Sequence, residues 1–320
     1  MNSSAESVVS ETTYAEPART ATAAMPMIQT LLWSMRREVW ENRSIYIAPA
    51  SVAVALIAAF TISLVRHPEV LARLVGMDAD GQRMALVIPC SVVAGFVIVT
   101  SVLVGVFYCL DAMYGERRDR SIFFWKSLPV SDLVTVLAKM SVPMVVLPVV
   151  TFVIVVVTQL VLLLLLCSVL MLVHGLDAGL LWRQLPLPEM EVVILYGFMA
   201  MTLWYAPVYG WLLFVSSWAK RAPLMWAVLP VLAAAIVERI AFNTGYLWQM
   251  LKYRQSGFVG TAFAGIVDRS GDARHVAAFI PLSQLTPGVF FSSLGLWTGL
   301  VAAGLFFAAV VRMRRYREPI

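Results

Sequence analysis

Charge is scarce in this sequence. Only 13% of its 320 residues are Asp, Glu, Lys or Arg, where a soluble domain carries about 25%. Cysteine and histidine are rarer still, three of each. Cys90, Cys109 and Cys167 all sit inside apolar runs without metal-ligand spacing, which argues against a disulfide framework or a metal site. His67, His174 and His275 fall outside the long apolar runs, which disfavours a haem-b carrier, whose axial ligands lie within the bundle. No Gly-Lys-Ser or Gly-Lys-Thr occurs, so the chain holds no phosphate-binding loop of that type. It also lacks His-Glu-x-x-His and Gly-x-Ser-x-Gly, and no histidine inside a span could serve as a base for an intramembrane serine protease.

Ionisable residues near the spans are few: Asp111, Glu189, Glu191, Glu238 and Arg239. Each reads as an interfacial charge. For Glu238 and Arg239 a substrate-gate role stands beside that reading. Proton-coupled carriers place acids or histidines within the spans, so the energy source is expected in a partner.

Apolar residues dominate instead, at 60% of the chain and with a mean hydropathy of +0.82. Several stretches run about 20 residues without a charge, enough to cross a hydrocarbon core of about 30 Å. The reading is an all-α membrane protein with six transmembrane helices over residues 46–311. The spans run over about 46–65, 84–110, 134–173, 192–217, 223–242 and 293–311. The third is twice the usual length. Val149 to Leu166 contains no Gly, Pro or charge to turn the chain, so one long helix is expected, entered through Lys139 and kinked at Pro143 and Pro148.

Residues 1–27 are rich in Ser, Thr and Ala. They lack the basic start and apolar core of a secretory signal and read as a disordered cytoplasmic tail. Residues 28–45 read as an amphipathic interfacial helix, with Ile28, Leu31, Leu32, Met35 and Val39 at helical spacing and Trp33 and Trp40 as amphipathic rings. A plain extension of the first span is the alternative. Residues 312–320 form a basic tail.

Basic residues set the orientation. With both termini inside, the inner segments hold thirteen Arg and Lys and the outer ones eight. The inner segments are also the shorter, roughly 55 residues against 85, so both termini are expected in the cytoplasm. The long outer segment, 243–292, is too broken by Pro281 and Pro287 in its second half to span. A short or re-entrant helix at the outer leaflet is expected there.

Span four offers Trp204, Tyr205 and Tyr209, as an aromatic path for an amphiphilic substrate or as packing. Gln159 is the strongly polar residue deep in span three, placed to make a helix-to-helix hydrogen bond or to line a cavity.

The segment between spans two and three concentrates six charges from Glu116 to Lys126, followed by Leu128-Pro129-Val130-Ser131. This block, Tyr114 to Met140, resembles the cytoplasmic segment of type-2 ABC transporter permeases, although that family often has Gly where Arg120 stands. The wider layout, over about 28–315, is similar too. The resemblance implies a coupling helix that docks on a separate ATPase subunit through Glu116, Arg117, Arg118, Asp119, Arg120, Phe123, Phe124 and Trp125. It also implies a dimer of permeases, homo- or heteromeric, in an inner membrane, with an exported substrate. Trp204, Tyr205, Tyr209, Gln159, Glu238 and Arg239 are the residues the spans themselves offer as a path for an amphiphilic or hydrophobic substrate. The chain would not be an enzyme and would carry no cofactor, ATP and Mg being bound by the partner. A self-sufficient secondary carrier and a non-transporting scaffold or sensor are the other readings.

Overall fold

A computed structural model describes residues 26–67, 69, 76–119, 121, 130–174, 187–263 and 282–316. The helices among them are α1 (Met27–Glu41), α2 (Ser44–Arg66), α3 (Ala79–Ala112), α4 (Tyr114–Arg118), α5 (Asp132–Ser141), α6 (Leu147–His174), α7 (Leu187–Trp218), α8 (Pro223–Phe242), α9 (Tyr246–Ala262), α10 (Pro287–Ser292) and α11 (Leu294–Tyr316). Among the described residues there is no strand, only an isolated bridge from Phe263 to Leu285.

Six helical stretches are long and apolar enough to cross a membrane. They are α2, α3 continued by α4, α5 continued by α6, α7, α8 and α11. The chain is therefore a multi-pass, all-helical membrane protein. The expected spans agree with these helices within a few residues, and the third is one continuous helix from Asp132 to Leu172, 41 residues long. A single π turn, Val142–Val146, interrupts its α-helical ladder and carries Pro143. Proline has no backbone N–H to give to the preceding turn, and a π turn absorbs the missing bond without ending the helix. Ser131 caps its start, the side chain accepting from the Val134 amide at 3.3 Å.

The chain breaks between α1 and α2 at Asn42, whose backbone leaves the helical region (φ −107°, ψ 69°). α1 is thus a separate helix and not an extension of the first span. It packs on α5, while Met27, Ile28, Leu32, Trp33 and Trp40 remain exposed.

α7 is the central post. Half of its most apolar stretch is buried, against 6% for α8, and it touches α11, α3, α6, α8 and α9. α2, α3 and α6 form a three-helix layer beside it, cored by Ala53, Val97, Val155 and Leu162. Small hydroxyls tie this layer together: Thr151 donates to Ser101 at 2.7 Å, from α6 to α3. A second apolar core joins Ile45, Cys109, Val136, Tyr209, Leu213 and Val310. A third gathers Trp204, Phe263, Phe290 and Leu296 at the opposite end of α7.

Candidate functional site: a buried ion cluster at the charged end of the bundle

α4 continues α3 through a one-residue turn at Met113. Glu116 and Arg117 lie on this short helix and contact α5, α7 and α11. Glu116 is nine-tenths shielded there and meets Lys139 Nζ at 3.1 Å and Arg314 Nη1 at 2.6 Å. Lys139 also lies 2.9 Å from Glu38 of α1. Glu38 accepts a further bond from the Tyr108 hydroxyl, at 2.9 Å. Arg314 reaches Asp132 at the start of α5, at 3.1 Å. Arg37 closes the group on the solvent side, 2.9 Å from Glu38 and 3.6 Å from Glu116. Its neighbour Glu41 stands 3.4 Å away; burial pushes the Glu41 carboxyl above its usual range, and the Arg37 charge offsets part of that.

The arrangement sets three carboxylates (Glu38, Glu116, Asp132) against three cations (Arg37, Lys139, Arg314), contributed by α1, α4, α5 and α11. Neutrality is what permits such burial. An ion in a low-dielectric interior costs several kcal/mol unless paired and hydrogen-bonded, and removing one partner leaves the other uncompensated. Helices far apart in sequence meet here, since Glu38 belongs to α1 and Arg314 to α11.

Arg117 makes a second joint. Its Nη2 donates to the carbonyls of Ser216 and Ala219, at 2.8 and 2.6 Å. These lie at the C-terminus of α7, where helix carbonyls lack intrahelical partners and a cation is favourable. Ser216 answers in kind, its Oγ accepting from the amides of Met113 and Tyr114 at 3.1 and 3.0 Å. Two of the free amides that start α4 are thereby satisfied.

The charged segment thus divides. Glu116 and Arg117 turn inward and are held by the chain itself. Arg118 and Asp119 stay exposed and pair with each other at 3.0 Å. Arg120, Phe123, Phe124 and Trp125 lie outside the described residues, as does residue 127.

The residues expected along a substrate path do not converge. Trp204 is fully buried. Its Nε1 donates to the Arg254 carbonyl at 2.8 Å, and the Arg254 guanidinium returns to the Trp204 carbonyl at 3.0 Å while stacking over the indole. Tyr205 donates to the Gln255 carbonyl at 2.5 Å. Tyr209 belongs to the core at the charged end. Gln159 is buried among aliphatic side chains, and neither of its amide atoms has a hydrogen-bond partner, so the helix-to-helix bond anticipated from sequence is not made. Glu238 works as a cap for α9. It accepts from the amides of Tyr246 and Leu247, at 2.7 and 2.9 Å, and from the Thr244 hydroxyl at 2.8 Å. Arg239 is exposed beside it.

α9 itself is absent from the sequence reading, which anticipated a short helix only in the second half of 243–292. There α10 forms, and it packs on α9. Glu238 and the αL conformation of Asn243 (φ 49°) are the local signals of a helix start after a tight turn. Within the ion cluster, the sequence reading places Glu38 on the polar, headgroup-facing side of the first helix, gives Asp132 no role and counts Arg314 among the basic residues that set orientation. The available signal was Lys139, a lone cation on a long apolar helix, which demands a buried partner.

No family model, no curated protein and no solved structure matches this chain. What fold and site define on their own is a class: a multi-pass helical membrane protein whose charged end is locked by a neutral ion cluster.

Proposed function

We propose that this chain is the membrane permease subunit of an ATP-driven ABC transporter, exporting an amphiphilic or hydrophobic substrate. A separate ATPase subunit, carrying ATP and Mg, docks on the 114–133 segment, and a second permease copy completes the transporter. Both termini face the cytoplasm, as the density of basic residues on that side requires.

One observation carries the reading. α4, the first turn of that segment, is bolted to four other helices: to α1, α5 and α11 around Glu116, and to α7 through Arg117. A push delivered to α4 is therefore felt by the helices that enter the membrane, and not absorbed by a slack loop. A segment whose only role was to set orientation would need basic residues but no such anchorage. ATP-driven movement of the docked subunit then shifts the spans between two arrangements, giving alternating access.

The test is isolation of the chain in mild detergent with an ATPase assay on what accompanies it. The reading expects a co-purifying ATPase of about 25–35 kDa, the size of one or two ordinary domains. A chain that isolates alone from its native membrane, with no ATPase activity, would overturn it in favour of a self-sufficient carrier.

A further inference from the structure

The last turns of α11 border a cavity of about 460 Å³ lined by Leu133, Phe307, Ala308, Val311, Arg312, Arg315 and Tyr316. Its composition is split. The floor is apolar, from α11 and from Leu133 in the first turn of α5. The rim is cationic. Arg314, between the two rim arginines, is turned into the ion cluster and neutralised by Glu116 and Asp132. Arg312 and Arg315 are exposed and form no ion pair with any described residue. Arg312 rests over the Tyr316 ring, 5.9 Å from its centre.

The cavity does not stand alone on its helix. Above it, Leu294, Trp297, Val301 and Leu305 are all strongly exposed, and Ala308, Arg312 and Arg315 continue the same three-and-four spacing. One face of α11 therefore offers an apolar stripe that ends in two exposed guanidinium groups without an ion-pair partner among the described residues. From Val301 to Arg312 the stripe is about 16 Å long at 1.5 Å per residue, close to half of a hydrocarbon core of about 30 Å. That is the depth of one leaflet.

We propose that this groove binds one anionic phospholipid. The acyl chain lies along Val301, Leu305 and Ala308, and the phosphate is held between Arg312 and Arg315. Guanidinium groups suit the phosphate because they offer paired donors in a fixed fork. Charge complementarity selects the lipid class, since a zwitterionic headgroup brings its own cation and gains little from two more. The site opens at a membrane–water boundary whichever way the chain is oriented, so it is independent of the transporter reading. It also spans the joint between α11 and α5 that Arg314 and Asp132 close, so an occupied groove braces that joint from outside.

The experiment is native mass spectrometry of the full chain in mild detergent, titrated with phosphatidylglycerol, with phosphatidylcholine of the same acyl chains, and with inorganic phosphate. The expected result is saturable binding of one phosphatidylglycerol, weaker phosphatidylcholine binding, and no displacement by millimolar phosphate. Each arginine near a membrane surface contributes about fivefold in affinity, so Arg312→Gln with Arg315→Gln should weaken phosphatidylglycerol binding about thirtyfold. Leu133→Trp, which fills the groove without changing charge, should weaken it as well. Lys220→Gln with Arg221→Gln, a basic pair in the turn between α7 and α8, should leave it unchanged. Equal binding of both lipids would overturn the site, as would equal losses in the two charge-removal variants. Displacement by phosphate would show a free-anion site in place of a lipid site.

Discussion

Lys139 and Glu38 lie 2.9 Å apart with 3% and 1% of their side chains exposed, although 101 residues separate them in sequence. Few charges in this chain have less access to water. They join the helix before the first span to the start of the third, and they do so beside Glu116, the residue that ties the inter-span segment to both.

Removing Lys139 should therefore be costly. Lys139→Met leaves Glu38 and Glu116 with only the partly exposed Arg37 between them, a loss of about 3–5 kcal/mol for a broken buried pair. Thermal unfolding of the purified chain should show a clearly lowered midpoint. Adding Glu38→Gln should recover part of it, because the stranded charge is then gone. An unchanged midpoint for Lys139→Met would mean the cluster does not hold the fold.

Arg117 and Arg118 are neighbours with opposite duties. Arg117→Ala strands the carbonyls of Ser216 and Ala219 and should cost about 1.5–3 kcal/mol, the range for one hydrogen bond to a charged group. Arg118→Ala removes an exposed, solvent-screened pair with Asp119 and should leave the unfolding midpoint essentially unchanged. If the segment docks an ATPase, Arg118→Ala should still weaken that association or its coupling to transport. Full transport by a stable Arg118→Ala protein would count against docking through this side chain.

Orientation can be read with thiol reagents, since the native cysteines give little background: Cys90, Cys109 and Cys167 are all buried. Ser256→Cys, on an exposed face of α9, should label from outside intact cells. Ser127→Cys should label only after permeabilisation. The opposite pattern would invert the topology.

Glu238 separates a cap from a substrate gate. Glu238→Ala removes acceptors for two amides and one hydroxyl and should lower the unfolding midpoint through loss of the helix cap. Glu238→Asp, which keeps a carboxylate, should recover some of that stability. Should both variants keep full stability while transport falls, the gate reading would replace the cap.

Close packing of α9 rests on small residues. A Cβ at Gly295 would stand 2.5 Å from the Tyr253 hydroxyl, and one at Gly299 would stand 2.5 Å from the Arg254 guanidinium. Arg254 is committed to the carbonyls of Trp204 and Gly295, both at 3.0 Å, so it cannot swing aside without losing them. Gly299→Leu should therefore release α9 from α7, seen as faster proteolysis between residues 243 and 292 with the six spans intact. Unaltered proteolysis would show that α9 is held by other contacts.

The sequence by itself determined the spans. Uninterrupted apolar runs have no place but the hydrocarbon, and a run lacking Gly, Pro and charge from Val149 to Leu166 leaves no means of turning, so the long third helix was legible. Only the tertiary structure decided which charges are internal. Glu116, Arg117, Arg118 and Asp119 are consecutive and all charged in sequence; partners on α5, α7 and α11 hold Glu116 and Arg117 inward, while Arg118 and Asp119 stay outside. The partners of Lys139 come from α1 and α4, on distant parts of the chain, and no local pattern specifies them. The same holds for α9: its seat is fixed by Trp204 and by glycines on α11, and sequence spacing carries no record of which helix will lie against them.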